Sequence, residues 1–518
     1  MYIKTCTRKK GGKTYKTHYL AEGYRDKVTG VVKHKHILSL SKMTDKMILA
    51  IKAVLNNDTQ IEKVRLEDLE VVGAKEYGSV AVFAKLFDQY FTDLIDAKYL
   101  AELKAIVINK IFDPKSKNSL NNWVKQVDLG LPFSDTDKLY ESMDYLEESQ
   151  AEIEKKLLLG RSTKNLELVL YDLTSTYFEG KGAENLCKYG YSRDHRSDRV
   201  QINIGLITTE DGTPVGVEVL AGNMADKSTM QDKIKELKDK FNLKNITFVF
   251  DRGMKSKANL KSIQEQGYDY VTALSHAELK TKAESNQSIQ MSIFDKKNLA
   301  EFTIDDKKYL LCHNPSKQLK DQITRNLLIT KTESKLIAIQ NLKKEYTDNI
   351  IQDKVSKIIN HTKCEKYLTY QIANGQLTFL RKQEVIDRDE QYDGFYMIET
   401  TNTKLVGDQA ERTYKSLQLV ERAFDSLKNH LEIRPVFHYK ESRIKGHIFS
   451  CFMAYYLLHK FKQQTKELLT NNSLDDLLTE LKCIKKTYFK LDKFILEKIT
   501  NRTETQQDLL NIFQIRVL

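Results

Sequence analysis

Three acidic residues stand where chemistry could use them. Asp172 interrupts an apolar run, Leu170-Tyr-Asp-Leu-Thr-Ser-Thr-Tyr177, and Asp251 follows the apolar Ile246–Phe250. In an open α/β sheet, ligand groups gather at the carboxyl ends of the strands. A carboxylate there is costly unless it is solvated, paired or bound to a cation. Glu421 falls on a helix expected to open near Gly407-Asp408. At 100° per residue, Leu417, Val420, Phe424, Leu427 and Leu431 make an apolar face on it, and Tyr414, Glu421 and Lys428 form a stripe along its edge. Taken singly, each acid reads as a cap, a turn residue or a solvated side chain. As a set they suit one reaction class. Cleaving and joining phosphodiesters requires an activated water or 3′-hydroxyl and stabilised charge on the attacking and leaving oxygens. Two Mg²⁺ ions about 3.5–4 Å apart, held by a few carboxylates, supply both.

The elements needed to position these acids are legible in the hydrophobic pattern. Residues 166–173, 201–207 and 215–220 read as three strands of an antiparallel meander, with a turn at Asp211-Gly212. A helix over 232–242, the strand 246–250, a helix over 257–266 and a strand over 268–274 follow. Three hairpin-like strands and then alternating helix and strand give the order of an α/β, RNase H-like core. Residues 276–391 break that alternation and read as a β-rich insertion, with strands at 308–313 and 377–380 and a polar helix over 336–346. The apolar strand 392–400 resumes the core ahead of the glutamate helix.

Upstream, residues 1–40 alternate apolar and polar around glycine turns, and 44–56 is helical. The chain therefore divides into a basic β/α region (1–75), an all-α domain (78–160), a first core part (165–275), the insertion (276–391), a second core part (392–463) and a C-terminal helical region (464–518). The net charge is +12, and residues 1–40 hold ten Lys or Arg against two acids. Two thirds of the excess thus sits in under a tenth of the chain, which points to a phosphate-facing surface there. The six cysteines include no C-x-x-C pair, which fits reduced thiols and excludes a disulfide framework or zinc finger. The first ten residues are basic without a signal-peptide core, and the longest apolar stretch, Ile448–Leu458, is short of the roughly 20 residues that span a bilayer. The expectation is a cytoplasmic protein, nucleoid-associated and without a membrane partner.

The segments Leu170–Glu179, Phe248-Val-Phe-Asp251-Arg-Gly-Met254 and Tyr414-x2-Leu417-x3-Glu421-x6-Lys428 together resemble the DDE transposases of bacterial insertion sequences, and more narrowly the group with a YREK signature around its glutamate. Tyr189–Asp198, Ala221–Asp226 and Arg443–Phe452 extend the likeness over about 166–460. The resemblance implies a metal-binding catalytic triad of Asp172, Asp251 and Glu421 with two Mg²⁺ ions, Mn²⁺ being able to substitute. It also implies phosphate contacts from Tyr414 and Lys428. Arg193, Arg196, Arg199, Arg252 and Arg422 fall in or beside the motifs of a lysine-rich chain, and a guanidinium binds phosphate bidentately. The implied partners are double-stranded DNA, at the element ends and the target, and a second protomer in a synaptic homodimer. One departure stands out, since Leu417 occupies the position of the signature's arginine.

Overall fold

The computed structural model describes residues 1–10, 13–26, 30–55, 70–130, 136–160, 168–224, 246–342, 346–491 and 494–516. Its strands, in chain order, are β1 (Tyr2–Lys10), β2 (Lys13–Arg25), β3 (Val32–Ser39), β4 (Glu70–Glu76), β5 (Leu168–Tyr177), β6 (Gln201–Thr209), β7 (Pro214–Ala221), β8 (Thr247–Phe250), β9 (Asp269–Ala273), β10 (Leu299–Ile304), β11 (Lys307–His313), β12 (Leu368–Ala373), β13 (Gln376–Arg381), β14 (Phe395–Thr400), β15 (Lys485–Leu491) and β16 (Phe494–Ile499). The central sheet runs β10-β11-β14-β9-β8-β5-β6-β7. β5, β6 and β7 form the expected antiparallel meander, and β8 and β9 lie parallel on the other side of β5. This is the RNase H-like order that the sequence suggests. The helix expected over 232–242 lies outside the described residues.

Both faces of the sheet are covered, so its strands read as nearly continuous apolar runs rather than as alternations. All nine residues of β6 are buried. Alternate residues of β5 and β8 still divide between two cores. Leu170 and Val249 join the large core that includes Val420 and Phe424, whereas Tyr171, Phe248 and Phe250 join a second core on the opposite face.

The segment 276–391 is more helical than expected. Its hairpin β10–β11 enlarges the central sheet through β14, and β12–β13 is a separate hairpin. The long helix spans Pro315–Gln340, not 336–346, and a second spans Asp348–Thr362. Asn314 caps the first helix by accepting from Ser316 and Lys317 N–H, with Pro315 at its first position. That helix leaves Leu319, Ile323 and Leu327 exposed, which blurs the apolar stripe from which a helix is recognised.

Within 78–160 the described residues form the helices Gly78–Phe91, Leu100–Phe112, Lys117–Gln126 and Thr136–Leu159. They pack around Glu441–Gln464, whose Ile444, Ile448, Cys451 and Phe452 are buried in the same core as Phe83, Ile106 and Leu146. Where this helix crosses Thr136–Leu159, a Cβ on Gly446 would stand 2.2 Å from the Met143 carbonyl oxygen. Gly446→Ala must therefore push two backbones apart, and we expect a loss of about 1–3 kcal/mol, read as a lower denaturant midpoint. An unchanged midpoint would show that this crossing yields freely.

The C-terminal region is not wholly helical. After Leu474–Cys483, the strands β15 and β16 form a hairpin, and β15 pairs with β4. Residues 70–76, assigned from sequence to the N-terminal region, thus share a sheet with 485–499. Among the described residues no helix is long and apolar enough to cross a membrane, and all six cysteines are free thiols.

Candidate active site

The register of the central sheet places two of the three acids side by side. β5 and β8 are parallel, with Tyr171 opposite Phe250, so Asp172 and Asp251 are the next residues on neighbouring strands, which lie about 4.8 Å apart. By the alternation of side chains, Asp172 shares the face of Leu170 and Asp251 that of Val249. Helix Leu417–Asp425 packs on β5 from that same side through Leu417, Val420 and Phe424. The apolar face expected on this helix is buried throughout, with Leu417 at 8% exposure and Leu431 at 0%. Glu421 is consequently left at its edge and exposed.

Electrostatics ties the three together. Asp172 is pushed up to about 7, first by burial and further by the charges of Asp251 and Glu421, against the opposing pull of the Leu173 N–H and of Arg193. Its Oδ1 accepts from Leu173 N–H at 2.8 Å. Asp251 Oδ2 accepts from Gly253 N–H at 3.1 Å, while Oδ1 receives a long contact from the Tyr414 hydroxyl at 3.4 Å. Burial and the Asp251 charge raise the Tyr414 phenol well above its ordinary range. Among the described residues no group of three or more His, Cys, Asp or Glu side chains is drawn close enough to hold a metal ion. The acids share a face and feel one another without forming a closed cage. Their donor set nevertheless fits a hard divalent cation. All the donors are carboxylate oxygens, and the charges of Asp251 and Glu421 add to the burial that raises the proton affinity of Asp172.

A proton held above its ordinary affinity has a consequence for stability. Asp172 in the fold binds its proton more tightly than in the unfolded chain, so its contribution is full below about pH 4 and is lost as the pH rises towards and through 7. We expect the melting temperature of the metal-free protein to fall between pH 5 and 8. The fall should be shallower in Asp172→Asn, and Mg²⁺ should reverse it at pH 8 more than at pH 6. Equal Mg²⁺ shifts in both proteins would remove Asp172 from the cation site.

The stripe Tyr414, Glu421, Lys428 does not address one group. The helix is broken at Ser416 between Asp408–Lys415 and Leu417–Asp425, and Ser426–His430 winds as a π-turn. Tyr414 reaches Asp251, but Lys428 Nζ lies 2.7 Å from Asp194 Oδ1. Arg434 pairs with the same oxygen, and the Asp194 side chain is only 4% exposed. Burial lowers the proton affinity of Lys428, although Asp194 works against it.

Of the arginines, Arg193 donates its backbone N–H to Ser175 Oγ at 2.9 Å, and its charge reaches Asp172. Arg252 and Arg422 are exposed beside Asp251 and Glu421. Arg196 holds Asp198 through two hydrogen bonds of 2.8 and 3.0 Å and lies over the Tyr177 ring, and Arg199 pairs with Glu179 at 3.0 Å. These last two sit at the end of β5, about 17 Å along the strand from Asp172. Asp194 was not singled out from sequence, because nothing in its spacing separates it from the exposed Asp198 four residues on.

The strand order places the chain among RNase H-like folds. Comparison with known families narrows this. The model described as Transposase DDE domain matches residues 166–457, more than half of the chain, and that described as IS1634 family transposase, N-terminal domain, matches residues 3–67. The chain belongs to the insertion-sequence DDE transposases. No curated protein matches it. Among solved structures it is similar to the Mos1 transposase paired-end complex with left transposon end, at 14% identity over 44% of this chain and 67% of that chain. The TM-score is 0.16, too loose a superposition to bear on the site.

Proposed function

We propose that this transposase binds the terminal inverted repeats of its own insertion sequence and cuts and rejoins DNA by metal-dependent phosphoryl transfer. The observation that carries the reading is the adjacency of Asp172 and Asp251 on β5 and β8, together with the packing on β5 of the helix that bears Glu421. Asp172, Asp251 and Glu421 would hold two Mg²⁺ ions, or Mn²⁺ in their place. When bound, such ions activate a water or 3′-hydroxyl and stabilise charge on the oxygens that attack and leave. The protein's own share is to keep the three carboxylates apart on rigid elements, to orient Asp251 through Gly253 N–H and Tyr414, and to line the approach with cations.

Tyr414, Arg193, Arg252 and Arg422 would touch phosphates near the cut, and Arg196 and Arg199 phosphates farther along the strand. In the YREK-type reading, Lys428 reaches phosphate by exchanging Asp194 for DNA. The basic strands β1–β3, with Arg8, Lys16, Arg25, Lys33 and Lys35 exposed, suit recognition of the repeats. Synapsis of two ends calls for a homodimer on DNA.

The test is strand cleavage by the purified protein on linear DNA carrying the element's ends, with and without Mg²⁺. We expect Mg²⁺-dependent nicks at the repeat boundaries. One observation favours a second reading, an inert DNA-binding derivative: Leu417 is buried where the signature carries arginine. Repeat-specific binding with no cleavage in Mg²⁺ or Mn²⁺ would select it. Cleavage indifferent to the repeats would overturn both.

A further inference from the structure

Away from the acids, an unusual group of basic side chains is buried at the seam between the all-α helices and the segment that follows the glutamate helix. Lys110, Lys117 and His447 are 5, 6 and 5% exposed, and His438 is mostly buried beside them. The rings of His438 and His447 lie 5.4 Å apart. Lys110 Nζ donates to the Glu432 carbonyl at 3.3 Å, and His447 Nε2 meets the Ile433 carbonyl at 3.1 Å. His447 Nδ1 is buried with no partner at all. Lys117 opens helix Lys117–Gln126, whose N-cap is Ser116. Among the described residues no Asp or Glu is ion-paired with any of the four. A buried lysine without a counter-ion costs several kcal/mol in its charged form, and proteins do not ordinarily gather two lysines beside two histidines in one such spot.

We propose that Lys110, Lys117, His438 and His447 line a binding site for a phosphate-class oxyanion. The donors come from four segments: helix Leu100–Phe112, the start of helix Lys117–Gln126, the loop before residue 440, and helix Glu441–Gln464. A tetrahedral anion with multiple acceptor oxygens can take donors from several segments at once. A spherical halide would satisfy fewer of them. The charges are already felt within the group. Burial first and then Lys110 bring Lys117 down to about 7. Burial and then Lys117 and Lys110 bring His438 down to about 4, and His447 is held well below its ordinary value for the same reasons. An anion between them would relieve that repulsion and fasten the all-α helices to the 432–447 segment, which also carries Arg434, the partner of Asp194. The phosphate could be free in solution or part of a DNA backbone. The chemistry is shared, and the experiment separates the sources.

Thermal unfolding of the full chain at pH 7.5 is followed against inorganic phosphate, against chloride at matched ionic strength, and against a short DNA duplex. The native protein should gain about 2–4 °C at saturating phosphate and markedly less in chloride. Lys117→Met keeps the volume and removes the charge. It should melt higher than the native protein without phosphate and lose the phosphate-dependent gain, and His438→Phe should reduce that gain. A Lys117-dependent gain with phosphate assigns the site to the free anion, and one seen only with DNA assigns it to a backbone phosphate. Gains of equal size in native protein and Lys117→Met with both ligands, or equal gains in chloride and phosphate, overturn the site. Loss of DNA cleavage or DNA binding by the native protein would bear on the transposase reading alone, since the phosphate arm does not depend on it.

Discussion

Replacing Asp172 by alanine is expected to lower Mg²⁺-dependent strand cleavage on the order of 10³-fold, because loss of one ligand forfeits several kcal/mol of charge stabilisation in the transition state. The side chain is partly buried on the sheet face covered by helix Leu417–Asp425, and its charge is coupled to those of Asp251 and Glu421. Asp251→Ala and Glu421→Ala should behave alike, since the three are proposed to act as a unit, and pairs of substitutions should lose little more than single ones. Binding to a repeat-bearing duplex should survive in all three, because removing a carboxylate from a phosphate-facing surface takes away repulsion. Asp198→Ala serves as the control, as Asp198 is exposed at the far end of β5 and pairs with Arg196 and Arg199. Cleavage by Asp172→Ala at a rate near that of the native protein would remove the triad from the mechanism.

The second large effect concerns Asp194. Its buried carboxylate is shared by Lys428 and Arg434, which brings the loop 189–199 against the π-turn that ends the glutamate helix and against the chain beyond it. Truncation strands two poorly solvated cations, and breaking a buried pair in this way costs about 3–5 kcal/mol. Lys428 and Arg434 keep some exposure, 13 and 25%, so the lower end of that range is expected for Asp194→Ala, read as a reduced denaturant midpoint. Asp198→Ala, in the same loop but at the surface, should barely move the midpoint. A midpoint for Asp194→Ala within error of the native value would show that the two cations resolvate freely. If Lys428 does pass from Asp194 to DNA, Asp194→Asn should strengthen duplex binding at low salt, and the variant's affinity should fall more steeply than the native protein's as salt is added.

Much of this was open to reading in the chain. The core strands announce themselves because both faces are covered, so Ile202, Ile204 and Leu206 and then Phe248, Val249 and Phe250 form dense apolar runs whose ends are visible. The helix of Glu421 was legible from its period alone, and each of the five residues assigned to its apolar face is buried. What periodicity could not give is where a polar stripe ends up once the helix is interrupted. A turn at Ser416 and a wider turn over Ser426–His430 send Tyr414 and Lys428 to different acids. Partners supplied by distant loops, Asp194 above all, carry no local signature. The hairpin β15–β16 was missed for another reason. Its lysine-rich alternation, Lys485-Lys-Thr-Tyr-Phe-Lys-Leu491, resembles a charged helix until β4 is known to lie alongside.

That last pairing bears on the order in which the protein can become competent. β4 hydrogen-bonds to β15, more than 400 residues later in the chain, and the nearby Gly78 is packed against Leu481 and Ile484. While the chain is still on the ribosome, the basic N-terminal strands have emerged but the sheet that seats their connecting segment does not yet exist. Only when residues 485–499 are out can that segment lock in place. A newly made molecule would therefore complete the sheet that seats β4 only late in synthesis, and interrupted translation would release chains in which β4 has no β15 to pair with.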